Sequence, residues 1–177
     1  MVNMKNEVIT ICVGDRALEF LSITLPQNIK FFDNYIVVTS GADLDTQNYC
    51  KNFPVTIVIT DAFYKNKSKF NKGAAYNEAF KLLKYRDEIT ILDCDSYIPD
   101  ALGKIIMNGI FNKEYMYSSR RIIIPSKSDF LEILKGNKEL EGRLWCCEGI
   151  GWGYMQMFNY NAEVFNRHEL YYPHPPY

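Results

Sequence analysis

The sequence predicts an α/β sandwich: a mostly parallel central sheet covered by helices on both faces. Three observations lead there. Strand-like and helix-like segments alternate over the first hundred residues, the strand-like segments are uniformly apolar, and polar or acidic residues follow each strand at the same end. Uniformly apolar strands are those buried on both faces, and crossover helices between them make the sheet parallel.

Each element follows from local pattern. "EVITICV", residues 7–13, is β-branched and apolar, hence a buried strand. From Arg16 to about Lys30, Leu18, Leu21, Leu25 and Ile29 recur at helical spacing, with a kink or break expected at Pro26. "NYIVVTS" is the second strand, "GADLDTQNYCKNF" a turn and short helix, and "PVTIVIT", residues 54–60, the third strand. After the polar loop "DAFYKNKSKF", Asn71 is a good N-cap for a helix to about Tyr85, with Ala75, Ala79, Leu82 and Leu83 on one face. "EITILDCD" is the fourth strand. Beyond Pro99, residues 100–111 read as a helix, "EYMYSSRRIII" as a strand, "SKSDFLEILKGNKELEGRL" as a helical or loop insertion, "GYMQMF" as a strand, and "NAEVFNRHEL" as a short helix starting near Asn161. The tail "YYPHPPY" is too proline-rich to continue it.

Composition narrows the class. A chain of 177 residues fits one domain. With 47% apolar and 23% charged residues it has the makeup of a folded globular protein. A formal net charge of -1 argues against a surface drawn as a whole to nucleic acid or anionic lipid. No apolar run approaches the ~20 residues of a membrane span, and the first residues have no secretory pattern, so a cytoplasmic protein is expected. Cys12, Cys50, Cys94, Cys146 and Cys147 are odd in number and lack zinc spacing, and are expected to be reduced structural thiols.

In open α/β sheets ligands gather beyond the carboxyl ends of the strands. Asp15, Thr39, Ser40, Asp61, Asp93 and Asp95 all follow their strands at that edge. In "ITILDCDSYIPD" a buried strand ends in Asp93-Cys94-Asp95, and ionised carboxylates there must reach solvent or share a cation. Same-face residues on a strand lie ~6.6 Å apart, so an i, i+2 pair can converge once the strand bends. Such hard oxygen donors suit Mg²⁺ or Mn²⁺, which commonly completes its shell with phosphate oxygens and water. Asn71, Lys72 and Gly73 open a helix whose free amides and positive end favour an anion.

"FNKGAAYNEAF", then "ITILDCDSYIPDAL", resembles the core of GT-A fold glycosyltransferases, the large inverting nucleotide-sugar group (family 2-like) in particular. "GIGWGYMQMF" is similar to the acceptor-side segment of that fold. The resemblance covers residues 7–105 in element order and 70–102 in motif. It implies a GT-A type, Rossmann-like α/β/α sandwich in one domain, 1–177, with a nucleotide-sugar-binding half (1–100) and an acceptor-side half (101–177).

It further implies a metal-dependent hexosyl- or pentosyltransferase using a nucleoside diphosphate sugar, first of all a UDP-sugar, with Mn²⁺ or Mg²⁺. On this likeness Asp95 chelates the metal, Asp93 contacts the ribose or supports the metal, Lys72 lies near the nucleotide, and Asp61 accepts from the base. Asp15 and Thr39 belong to the same donor-binding rim. Glu148 is first choice for the catalytic base, followed by Glu163 or Glu169, and His174 or His168 is a third metal ligand. Where the family often carries acids after its second strand, this chain has Thr39 and Ser40, with Asp43 or Asp45 as substitutes. Trp152, Tyr154 and Phe158 are either a stacking platform or core. The acceptor is left as a glycan, a protein, or nucleic acid held by the loop from Lys65 to Lys72; the alternative function is a catalytically inactive nucleotide-sugar-binding or interaction module. A nucleotidyltransferase or dinucleotide oxidoreductase would be expected to carry a glycine-rich loop after the first strand, where "CVGDRALEF" offers only Gly14.

Overall fold

The computed structural model describes residues 5–109, 115–118, 122–124, 126–136, 145–146 and 155–159. Strands β1 (Asn6–Ile11), β2 (Asn34–Thr39), β3 (Thr56–Ile59) and β4 (Glu88–Asp93) alternate with helices α1 (Asp15–Asn28), α2 (Leu44–Cys50) and α3 (Lys72–Phe80). Then come α4 (Asp100–Asn108), β5 (Tyr117–Ser118), β6 (Ile122–Ile123), α5 (Lys127–Leu134), β7 (Trp145–Cys146) and β8 (Met155–Asn159). The main sheet has six strands in the order β3-β2-β1-β4-β8-β5. β3, β2, β1 and β4 run parallel, and β8 is antiparallel to both its neighbours. The mostly parallel α/β architecture expected from the sequence is the one observed.

Alternation along each strand divides the core in two. Val8, Val37, Leu92, Met155 and Met157 face α1 and α4 residues such as Leu21, Leu25 and Ile106. Ile9, Ile11, Ile36, Val38, Ile89 and Ile91 face Ala75 and Ala79 of α3 on the other side. Phe158 belongs to this second cluster, so of the two readings open for it the core one holds. The close approach of α4 requires Gly103, because a methyl group there would overlap the Phe31 ring.

Around the sheet the structure departs from sequence expectation as follows. Pro26 does not break α1, which continues to Asn28. The carbonyl its missing N–H leaves vacant, that of Ser22, accepts instead from Tyr49 Oη at 3.0 Å. Helix α3 stops at Phe80 rather than near Tyr85, and Leu82 is exposed. The amides of Lys84, Tyr85 and Arg86, each 2.8 Å from Glu7, hold the following turn to β1, and Arg86 takes φ 57° there. The strand expected over "EYMYSSRRIII" is, among the described residues, two short pieces in different sheets, β5 and β6. The helix expected near Asn161 and the Gly-Trp segment lie outside the described residues.

Cys12, Cys50 and Cys94 are free thiols, as expected. Among the described residues no helix is long and apolar enough to cross a membrane.

Candidate functional site

The carboxyl edge of the four parallel strands gathers the polar residues in a row. β4 ends at Asp93, whose register partner on β1 is Ile11, so the Asp-Cys-Asp turn lies beside the residues that lead β1 into α1. Lys72, first residue of α3, reaches this turn, and its Nζ lies 3.0 Å from Asp93 Oδ1. That helix starts where it does because Asn71 Oδ1 accepts from the Ala74 amide at 3.0 Å, as the N-cap reading anticipates. Asp95 is exposed and makes no side-chain hydrogen bond or ion pair among the described residues.

The turn carrying the two acids is held from behind by α1. Thr24 Oγ1 donates to the Cys94 carbonyl at 2.6 Å, and Asn28 Nδ2 to the Ser96 carbonyl at 2.8 Å. Asn28 Oδ1 in turn accepts from the Ile98 amide at 2.9 Å. Thr24 and Asn28 stand four apart on the same buried side as Leu21 and Leu25, and that polar interruption of an apolar face is the sequence signal that betrays them. Beneath the acids the Cys94 thiol is pushed well up, by its hydrogen bond with the Cys12 thiol, by burial, and by the charges of Asp95 and Asp93. It is a neutral packing group.

Between β1 and β2 a second carboxylate organises the rim. Asp43 caps α2 through Thr46 N at 3.1 Å and accepts from Gly14 N at 2.8 Å, Thr46 Oγ1 at 2.8 Å and Thr39 Oγ1 at 3.2 Å. Burial raises its pKa, but the hydrogen bonds from Gly14, Thr46 and Thr39 outweigh that and leave it below the usual aspartate value. Gly14, at φ 89°, points its amide at this carboxylate. Asp43 is thus a structural clamp between two loops, and Thr39 is one of its donors. Ser40 is buried, with its carbonyl taken by Gln47 Nε2 at 2.9 Å.

The remaining rim residues are more open. Asp15 is an exposed acid in the first turn of α1. Asp61, exposed after β3, accepts from the Gly41 amide at 3.3 Å. Asp15, Thr39, Asp61, Lys72, Asp93 and Asp95 therefore share one edge, and of these the structure directly joins Lys72 to Asp93. Glu148, Glu163, Glu169, His168, His174, Trp152 and Tyr154 lie outside the described residues. Among the described residues there is no cluster of three or more His, Cys, Asp or Glu side chains able to hold a metal by themselves. The Asp93 and Asp95 carboxylates still fit a hard cation that takes one or two protein carboxylates and the rest of its shell from ligand and water. Such a cation would share Asp93 with the Lys72 ammonium or displace it.

No protein-family model matches this chain, and no curated protein matches it. Among solved structures it is similar to 4-diphosphocytidyl-2C-methyl-D-erythritol synthase, with a TM-score of 0.53 and 15% identity over 90% of this chain and 76% of that one. It is similar also to a mycobacterial protein, with a TM-score of 0.53 and 16% identity over 88% of this chain. The chain spans about half, 53%, of that protein's length. It spans 65% of a nucleotidyl transferase from Methanothermobacter thermautotroptrophicus, which it matches at a TM-score of 0.49 and 12% identity over 67% of its own length. The architecture built above from β1 to α4 is accordingly the Rossmann-like α/β fold it shares with the synthase.

Proposed function

We propose that the chain is a metal-dependent glycosyltransferase that takes a sugar from a nucleoside diphosphate sugar, first of all a UDP-sugar. The observation that carries this is the Lys72–Asp93 ion pair, 3.0 Å long, beside exposed Asp95 at the carboxyl edge of the sheet. A lysine held by a carboxylate and half exposed to solvent can exchange that partner for a diphosphate at little cost, because exposed ion pairs contribute ~0–1 kcal/mol. The start of α3, with its positive dipole end, adds to the attraction for an anion.

Asp95 and Asp93 would hold Mn²⁺ or Mg²⁺, which supplies positive charge to a leaving diphosphate. In this reading Lys72 balances the negative charge that builds up as the anomeric bond breaks. Asp61 accepts from the base, and Asp15 borders the donor pocket. The acceptor's oxygen bonds to the anomeric carbon and its proton passes to a carboxylate, for which Glu148 is the candidate.

A second reading, nucleotidyl transfer, draws support from the shared fold with a synthase whose product carries a diphosphocytidyl group. Against it stands the loop after β1, where Asp43 already occupies the Gly14 amide that a triphosphate would use. Incubation with Mn²⁺ and a panel of nucleotide sugars separates the readings. Release of nucleoside diphosphate, lost in Asp95→Ala, supports glycosyl transfer. Pyrophosphate release from a nucleoside triphosphate and a sugar phosphate supports the second reading, and binding without turnover supports an inactive nucleotide-sugar module.

A further inference from the structure

Residues 62–77 contain Lys65, Lys67, Lys69 and Lys72 and no acid, in a chain whose net charge is -1. A polar loop is the simplest expectation for such a stretch, but the structure folds it. A 3-10 helix spans Ala62–Lys67, and the Asn71 amide donates to the Phe63 carbonyl at 2.7 Å, closing the excursion on itself. Its two ends are Asp61 and Lys72, both at the strand-end rim.

The aromatic residues of this excursion are arranged for stacking. Phe63 is fully buried in the α3 side of the core. Phe70 lies parallel to it, with ring centroids 5.2 Å apart and an interplanar angle of 9°. Phe63 stacks against one face of Phe70, which is still 37% exposed and so leaves surface toward solvent. The Tyr64 ring, tilted by 54° to that of Phe63 with centroids 6.1 Å apart, is 47% exposed. Lys65 and Lys69 are exposed on the same segment, and Lys72 stands at its end. The facing acid, Glu78, is held by Lys81 at 2.7 Å and lies 3.9 Å from Lys65.

We infer that this excursion binds single-stranded nucleic acid, with bases stacked on Phe70 and Tyr64 and phosphates met by Lys65, Lys69 and Lys72. Flat exposed rings interleaved with lysines are what a strand of unpaired bases and regularly spaced phosphates requires. A sulfated or phosphorylated glycan would also satisfy the lysines, but its puckered sugar rings meet an aromatic ring only through C–H groups, whereas planar bases stack on it face to face, and it is this face-to-face stacking that we assign to Phe70 and Tyr64. The inference stands whether or not a nucleotide sugar is the donor. Lys72 is shared with the donor site proposed above, so a bound nucleoside diphosphate takes that one contact away from the strand.

The test is fluorescence anisotropy of a labelled oligothymidylate of about 12 nucleotides with the intact chain, from 50 to 200 mM salt. Three phosphate contacts predict a log–log salt slope of about -2, which weakens binding about 15-fold across that range. Phe70→Ala weakens binding at least about fivefold, and Phe70→Trp restores it. Should Phe70→Ala fail to fold, Tyr64→Ala makes the same prediction on a ring outside the core. Lys69→Gln lowers the magnitude of the slope by about 0.7. Absence of binding at 50 mM salt overturns the inference. So does binding indifferent to both ring substitutions, or heparin binding as tightly as the oligonucleotide.

Discussion

The two ends of the central sheet use the same chemical group in opposite ways. At the amino edge Glu7 is fully buried, and its carboxylate accepts from the amides of Lys84, Tyr85 and Arg86 at 2.8 Å each and from Asn34 Nδ2 at 2.7 Å. At the carboxyl edge Asp95 is exposed and makes no side-chain hydrogen bond among the described residues, while Asp93 is met by a half-exposed lysine. Donors that saturate a buried carboxylate, as they do at Glu7, offset the cost of burying it and leave it no capacity for a ligand. Asp95 at the carboxyl edge keeps that capacity. Asp43 marks the boundary, since it sits at the carboxyl edge but is saturated like Glu7. Saturation, more than the mere presence of acids, separates the fold's carboxylates from those available to a ligand.

The contrast can be broken by substitution, beginning with the largest effect. Glu7→Ala strands three amides and should cost about 3–5 kcal/mol, read as a lower urea midpoint at unchanged slope. A loss under about 1 kcal/mol would erase the distinction between the edges. Asp43→Ala removes a helix cap and the Gly14 clamp and should cost about 1–2 kcal/mol near neutral pH. Because the folded-state pKa of Asp43 is lowered, its contribution is full above the unfolded aspartate value and is lost as pH falls through the folded one. Wild type and Asp43→Asn should therefore differ in stability at pH 7 and converge in acid; a gap that widens in acid would contradict the assignment.

At the open acids the expected changes in stability are smaller. Lys72→Gln should alter stability by less than about 1 kcal/mol, since it breaks one exposed ion pair, yet weaken nucleoside diphosphate binding about tenfold by calorimetry. Asp95→Ala should change stability by no more than about 0.5 kcal/mol.

Much of this was legible in sequence because burial writes itself into composition. β1, β2 and β4 are dominated by β-branched and apolar residues, and the N-cap Asn71 follows from residue type and place alone. The row of rim residues follows from strand ends in an open sheet. What could not be read were bonds between residues distant in sequence. Glu7 ends α3 early by taking amides nearly eighty residues away, and Tyr49 rescues the carbonyl that Pro26 leaves vacant across a gap of 27. Asp43 looked like a substitute ligand because its type and loop fit, whereas its partners, Gly14 and Thr39, come from a neighbouring loop and strand. The aromatic stack of Phe63 and Phe70 was hidden for a similar reason, since only the 3-10 turn brings the two rings together.

The central claim is that Asp95, with Asp93, holds a divalent cation to which a nucleoside diphosphate binds. Thermal unfolding of wild type and Asp95→Ala, each with UDP and with or without Mn²⁺, tests it most directly. At a ligand concentration of about 100 Kd the wild type should gain about 2.7 kcal/mol, a rise of about 5–10 °C in Tm, only when both UDP and Mn²⁺ are present. Asp95→Ala should show no such rise. An equal rise without metal, an equal rise in Asp95→Ala, or no rise in the wild type with any nucleoside diphosphate would contradict the account.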